Sequence, residues 1–336
     1  MPSLQKFRAG KPAFYPDQTI YAEFACATFG LRFEELDKGT GLVFRVSSAG
    51  DSVCFSAGRG SFYPQNSATA ATLAGDKYFA QVALDRAGLP TLGGQYFFLH
   101  ERHRAHRPPG HERADVVACF RQLGGVAFLK PLAGSRGDFA QTIDTESGLA
   151  DYLDEVARYY DAVLLQPVVS GREYRIFVLD DRILYSARKL PPSLVGDGTH
   201  AISELLADHD IALQSRGLSP VTLGQPESGD SDVVLPAGSR RDIPGRMNRS
   251  AGGSMLFEAP GAERAAFALA TQAVRALGLR AAAVDMFTDV AGEADNIRII
   301  EVNANPSIRF LEDSDRADLI LAIWQHTFAA TGLLGV

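Results

Sequence analysis

Apolar positions in this chain fall in short runs separated by turn formers, interleaved with longer stretches at helical spacing. Two runs in the last third set the pattern. Residues 281–287, AAAVDMF, and 298–303, RIIEVN, are each apolar with one carboxylate set among the aliphatic residues. The turn-rich segment 289–296 lies between them, so the pair reads as an antiparallel hairpin with Asp285 and Glu301 facing each other. Strand side chains alternate with a period of two, which puts Asn303 on the same side as Glu301. The run 303–307, NANPS, then turns the chain, because Asn and Pro favour turns for separate reasons.

Upstream, residues 125–131 read as an apolar strand that delivers Lys130 into a turn bearing Gly134 and Gly137. A second apolar strand, 164–169, is kinked at Pro167, and 175–179 and 183–190 form strands joined by a tight turn at Asp180-Asp181-Arg182. Helical spacing appears at 19–29, over 67–87 as one helix stopped by Gly88-Leu89-Pro90, and at 263–277 before Gly278. The first 75 residues, with short apolar runs at 42–46 and 52–55, predict a small α/β unit. The Gly-rich segment 56–61 lacks phosphate-loop spacing and reads as a plain turn or a loop near the substrate. Residues 207–243 look loop-rich. The stretch 100–113 holds four of the seven His together with Pro-Pro-Gly, which favours a solvated loop over a metal site.

Composition narrows the class. The chain has 336 residues, 46% hydrophobic and 22% charged, enough for two or three subdomains. A net charge of -7 argues against a nucleic-acid partner held by a basic surface. Cys26, Cys54 and Cys119 are widely spaced and odd in number, so neither a disulfide framework nor a zinc site is encoded, and reduced, buried thiols are expected. No signal-type h-region and no run of about 18 apolar residues is present, which predicts a soluble cytoplasmic protein without a membrane partner. A homodimer stays open.

Asp285, Glu301 and Asn303 together make a hard oxygen-donor set of the kind Mg²⁺ takes along with substrate phosphates; the plainer reading is that each acid caps a strand or pairs with an Arg. A lysine at a strand end beside glycines, as at Lys130, suits phosphate contact. Arg309, four residues beyond Asn305, offers a guanidinium fork for a substrate carboxylate, with a salt bridge to Glu312, Asp313 or Asp315 as the alternative.

The strand with Asp, the hairpin turn and the strand ending Glu-Val-Asn before Pro resemble the metal-binding end of the ATP-grasp ligases. Further similarity lies in Asp76-Lys77 ahead of a helix and Ala-Gly-Leu-Pro, in the 125–137 strand and turn, in LLQPVVSGREYRI at 164–176, in VGDGTHAISEL at 195–205, and in RMNRSAGGS at 246–254. The branch it is most similar to is that of cyanophycin synthetase, ribosomal-protein glutamate ligase and glutathione-synthetase-like enzymes. It covers roughly residues 67–312; the first 66 have no specific match.

The resemblance implies an α/β (α+β) ATP-grasp fold: two α+β subdomains, 76–180 and 181–336, clamping ATP, preceded by an N-terminal α/β domain, 1–75. It implies phosphate contacts from Lys77 and Lys130 and a mobile lid over 131–142 carrying Gly134 and Ser135. Gln166, Val168 and Val169 would form the adenine hinge, Gln166 standing where many members carry Glu, and Glu173 would hold the ribose. Arg188 or Lys189 would meet the nucleotide or the developing phosphate charge, and Arg246, Asn248 and Arg249 would face the γ-phosphate and the acyl-phosphate. Asp285, Glu301 and Asn303 would bind Mg²⁺, two ions or alternatively Mn²⁺, while Ser307 and Arg309 would meet an amino-acid or peptide substrate. The activity implied is ATP-dependent amide formation through an acyl-phosphate, with ADP and phosphate released. A phosphotransferase on the same fold and a non-catalytic nucleotide-binding module are the alternatives.

Overall fold

A computed structural model gives the structure of the chain and describes residues 3–57, 62–134, 137–215, 231–243, 247 and 252–335. The chain opens with α1 (Leu4–Arg8) and α2 (Asp17–Phe29), then β1 (Arg32–Glu35), β2 (Val43–Ser47) and β3 (Ser52–Ser56). Helices α3 (Ala68–Gly75) and α4 (Lys77–Arg86) lead to β4 (Gln95–Phe98), α5 (Arg113–Gln122), β5 (Ala127–Pro131), β6 (Gln141–Ile143), α6 (Glu146–Val156) and β7 (Ala162–Gln166). Next come β8 (Arg172–Leu179), β9 (Arg182–Leu190), β10 (Ser193–Val195), α7 (Ile202–Ser215), β11 (Arg240–Asp242) and β12 (Ser254–Phe257). The chain closes with α8 (Glu263–Ala276), β13 (Ala281–Thr288), β14 (Arg298–Asn303), α9 (Arg309–Asp313) and α10 (Ala317–Ala330).

The N-terminal strands form an antiparallel sheet in the order β1-β2-β3. Along β2, Phe44 and Val46 turn inward while Val43 and Arg45 face out, the alternation of a half-buried strand. Phe44 stacks on Phe55 at 5.3 Å between ring centroids, and Trp324 and Phe328 of α10 pack against the same rings. This unit therefore shares its core with the last helix of the chain.

Between the N-terminal unit and α4 the expected single helix is broken in two. Asp76 adopts an extended conformation (φ -100°, ψ 114°), and its carboxylate accepts hydrogen bonds from the backbone N–H groups of Tyr78 and Phe79. An Asp in that role caps a new helix, and its preference for the cap outweighs continued helical spacing. The break leaves Lys77 as the first residue of α4.

Strands β4-β7-β5-β6 make an antiparallel sheet backed by α5 and α6, with Phe97, Phe120, Leu129, Leu149 and Val163 at its centre. The larger sheet runs β12-β9-β8-β13-β14. One face carries Tyr174, Ile176, Val284 and Ile299 onto α8 and α4; the other carries Phe177, Ala281 and Ala283 towards the N-terminal unit and α10. Strand β8 is paired into this sheet, so the change from one sheet to the next falls between β7 and β8, ahead of the boundary at 180 expected from the sequence. The Asp180-Asp181 turn lies inside the sheet as the β8–β9 hairpin, with both residues at positive φ (44° and 64°) as a tight hairpin turn demands. Residues up to Ser215 are helical and β11 pairs with β10, where the sequence predicted loop. Among the thiols only Cys26 is buried; Cys54 is exposed.

Candidate active site

Asp285 on β13 and Glu301 on β14 are directly paired, as expected from the hairpin. The register slips by one residue just beyond them: Met286 pairs with Ile299, leaving Ile300 as the extra residue of a bulge. The bulge reverses the alternation, so Ile299 enters the core beneath α8 while Glu301 and Asn303 emerge on the opposite face. Asn303 Nδ2 donates to Glu301 Oε1 at 3.1 Å, and Glu301 Oε2 takes no donor among the described residues.

The same face gathers groups from β8 and β9. Arg175, cross-strand from Asp285, donates Nε to Oδ1 and Nη2 to Oδ2, both at 2.8 Å, in a bidentate fork. Lys189 Nζ donates to Asp285 Oδ2 at 2.8 Å and also to Glu173. Asp285 is 1% exposed. Burial alone would push its carboxyl up, but Arg175 and Lys189 hold it well below the usual carboxylate range. Burial pulls the Lys189 ammonium down, and Asp285 and Glu173 more than restore it.

The smaller sheet supplies the opposing wall. Lys130, next to last in β5, is 6% exposed, and burial pushes its pKa down to about 8 against the pull of Glu301 and with the help of Lys77. Lys77 is likewise lowered by burial, and its Nζ donates to Gly134 O at 2.7 Å. Glu301 would be raised by burial, yet Lys130, Lys77 and Lys189 leave it lowered. At the end of β7, Gln166 is buried and its Nε2 donates to Gly93 O at 2.7 Å, while Oε1 lacks a partner among the described residues. The close approach needs a glycine beside it: a Cβ on Gly94 (φ +126°) would sit 2.6 Å from Leu165 O. Val168 is exposed and Val169 half-buried, just past the strand.

The remaining expectations fall elsewhere. Arg188 alternates to the far face of the sheet from Lys189, 3.7 Å from Glu258, because neighbouring strand residues point to opposite sides. Arg309 is engaged by Asp17 at 2.9 Å, Asp313 at 3.0 Å and Glu312 at 3.4 Å, two of them partners that the sequence offered as the salt-bridge alternative. Ser307 lies two residues before it, its Oγ accepting weakly from the Arg309 N–H at 3.5 Å. Ser135, Arg246, Asn248 and Arg249, and the 58–61 part of the Gly-rich segment, lie outside the described residues. The histidine-bearing stretch contains a single 3₁₀ turn at Arg104–His106, and no group of three or more His, Cys, Asp or Glu placed to hold a metal occurs among the described residues. Arg175 is the residue the sequence left unassigned; its signal was the two-residue step from Glu173, which puts both on one face.

The facing sheets define the class: this is an ATP-grasp fold. It aligns with a bifunctional glutathione synthetase from Pasteurella multocida at TM-score 0.59 and 19% identity, over 96% of this chain and 45% of that one. It aligns with a D-alanine–D-alanine ligase from Bacillus anthracis at TM-score 0.52 and 12% identity, over 80% of this chain and 71% of that one. In sequence the chain is 26% identical over 248 residues to a glutathione biosynthesis bifunctional protein of Desulfotalea psychrophila, and 26% over 258 residues to a cyanophycin synthetase of Geminocystis herdmanii. These alignments take in 69% and 70% of this chain but 31% and 28% of those proteins. No protein-family model matches. No helix among the described residues is long and apolar enough to cross a membrane.

Proposed function

We propose that the chain is an ATP-dependent carboxylate–amine ligase, activating a carboxylate as its acyl-phosphate and passing it to an amine with release of ADP and phosphate. The observation that carries this reading is the cluster between the two sheets: Lys130 and Lys77 on one side, Asp285, Glu301, Asn303, Lys189 and Arg175 on the other. The names of its relatives, a glutathione biosynthesis protein and a cyanophycin synthetase, support it. A carboxylate is a poor electrophile, and phosphorylation converts its oxygen into a leaving group, so no protein nucleophile is needed; positioning and charge neutralisation do the work.

Glu301 and Asn303 fit Mg²⁺, since Glu301 offers an oxygen without a donor and Asn303 a carbonyl oxygen with none among the described residues, whereas Asp285, forked by Arg175 and bonded to Lys189, would have to share an oxygen with them to join the ion. When bound, the ion would polarise the phosphoryl oxygens. Lys130 from the smaller sheet and Lys77 from the start of α4 would bind phosphates, Gln166 with Val168 and Val169 would border the adenine, and Glu173 would hold the ribose while orienting Lys189. Arg246, Asn248, Arg249 and Ser135 belong to this proposal on their sequence pattern alone. The units 1–75, 76–180 and 181–336 are retained as a proposed division.

The test is incubation of the chain with Mg²⁺, ATP and pairs of amino acids, reading ADP and phosphate release and amide by mass spectrometry, with hydroxylamine to trap the acyl-phosphate as a hydroxamate. A stable phosphorylated product in place of the amide establishes a phosphotransferase. Nucleotide binding without any ADP establishes a binding module.

A further inference from the structure

A cavity of about 360 Å³ lies where the start of α2 meets the segment leaving β14, lined by residues including Phe14, Tyr15, Asp17, Ala57, Pro306 and Ser307. Asn305, also on its wall, is two residues past Asn303, at most ~7 Å along an extended chain, so a ligand here lies beside the proposed metal end.

The charge of the wall decides what enters. Asp17 is the charged residue on it among the described residues. Its Oδ1 accepts from Arg8 Nη2 at 2.7 Å and from Arg309 Nη1 at 2.9 Å, while Oδ2 takes no donor among the described residues and the side chain is 37% exposed. Neither guanidinium is on the cavity wall, and both are engaged by acids: Arg8 also donates to Glu312 at 2.5 and 2.6 Å, Arg309 to Asp313, and Tyr21 adds its hydroxyl to Glu312 at 2.7 Å. Two arginines thus fix Asp17 through Oδ1, and the residue lines the cavity with Oδ2 unclaimed among the described residues. The N-terminal end of α2 would otherwise favour an anion, but Asp17 as the first helical residue already supplies that charge.

We propose that this cavity binds the ammonium group of an amino-compound substrate, received by Asp17 Oδ2, with the substrate body against Phe14, Tyr15 and Pro306. The word substrate rests on the ligase reading; the binding does not. It follows that Arg309 positions Asp17 and does not capture a substrate carboxylate.

The test uses the full chain without nucleotide and two kinds of probe, amino-acid amides (L-alaninamide, L-phenylalaninamide), which carry an ammonium and no carboxylate, and the corresponding N-acetyl amino acids, which carry the reverse. Ligand-observed NMR titration should show at least one amide binding about tenfold or more tightly than its N-acetyl counterpart. Asp17→Asn should weaken amide binding about tenfold or more, the range for loss of a charged hydrogen bond. Because Asp17→Asn also loosens two ion pairs, Ala57→Leu, which narrows the cavity and leaves them intact, should weaken the same amide with an unchanged melting temperature. Preferred binding of the N-acetyl probes, no binding of either amide, or unaltered amide affinity in the folded variants overturns the site. ADP release measured alongside separates the two claims: amide binding at Asp17 with no ADP from any substrate pair sinks the ligase reading alone, and wild-type ligation by Asp17→Asn sinks the site alone.

Discussion

Lys130 gives a quantitative handle on the proposed nucleotide site. Burial lowers its pKa from 10.5 to about 8, a shift worth about 3 kcal/mol against its charged form. A phosphate group placed against the ammonium removes that penalty and returns the proton. Nucleotide binding should therefore take up about 0.1 proton at pH 7, about 0.5 at pH 8 and about 0.9 at pH 9, from the neutral fraction of a group titrating near 8. Above pH 7 the Mg²⁺-bound phosphates carry no titrating proton of their own, so the sign is unambiguous, and Lys77, also lowered by burial, adds in the same direction. The assay is calorimetry with a non-hydrolysable ATP analogue and Mg²⁺ in buffers of different ionisation enthalpy. Lys130→Arg keeps the charge and cannot titrate, so it should bind while losing most of the uptake. The same linkage acts on folding: the penalty is fully present below pH 8 and fades as pH rises towards 10.5, because the folded state releases this proton first. Proton release at pH 8, or uptake unchanged in Lys130→Arg, would refute the assignment.

Glu301→Gln should abolish Mg²⁺-dependent turnover while changing chemical denaturation little, since the amide can still accept from Asn303; near-wild-type turnover would remove Glu301 from the metal site. Asp285→Asn should lose turnover and also on the order of 3–5 kcal/mol of stability, because it breaks a buried ion cluster; its acid limb should shift too, as the stability that depressed carboxyl contributes at neutral pH is normally lost only when pH falls through its folded value. Arg175→Met should cost a similar amount and weaken Mg²⁺–nucleotide binding, and Arg175→Lys should restore part of the affinity but not the fork; full affinity in Arg175→Met would make Arg175 a packing residue. Asn66→Ala should destabilise by roughly 2–4 kcal/mol in urea unfolding, because its amide bridges the backbone of Arg280, Ala281 and Ala304 through four hydrogen bonds. A loss under about 0.5 kcal/mol would show that water replaces them.

What could be read from the chain beforehand was whatever depends on period and punctuation. The β13–β14 hairpin, the Asp285–Glu301 pairing, α8 with its Gly278 stop and the strand bearing Lys130 all follow from apolar runs bounded by turn formers. What escaped was set by competition between local signals and by tertiary context. Asp76 sits within an apolar period that reads as continuous helix, and only its preference for capping splits α3 from α4. The bulge at Ile300 has no local mark, since Ile299 and Ile300 look alike until the core beneath α8 claims the first. Arg188 and Lys189 could not be told apart by type; parity with Glu173, visible only once β8 and β9 are in register, puts Lys189 on the site face. The first 66 residues carry no motif because their contribution is shape: Phe44 and Phe55 close over Trp324, and that packing brings Asp17 to Asn305.

The local charge also resolves an apparent conflict, since a chain of net charge -7 is a poor generic host for a polyanion. Around the cluster the described residues bring Lys77, Lys130, Arg175 and Lys189 against Glu173, Asp285 and Glu301, four cations to three anions. Low dielectric makes each pair strong and each unpaired charge costly. Lys189 and Arg175 are satisfied by acids, but the Lys130 ammonium has no hydrogen-bond partner among the described residues to offset its burial, which is why its pKa falls to about 8. Adding a divalent cation at Asp285 and Glu301 without an anion would raise an existing positive excess, whereas a nucleotide entering with its metal offsets both the ion and Lys130. The proposed metal should accordingly bind weakly by itself and tightly with nucleotide, and the order of binding is then a consequence of where four lysine and arginine side chains lie.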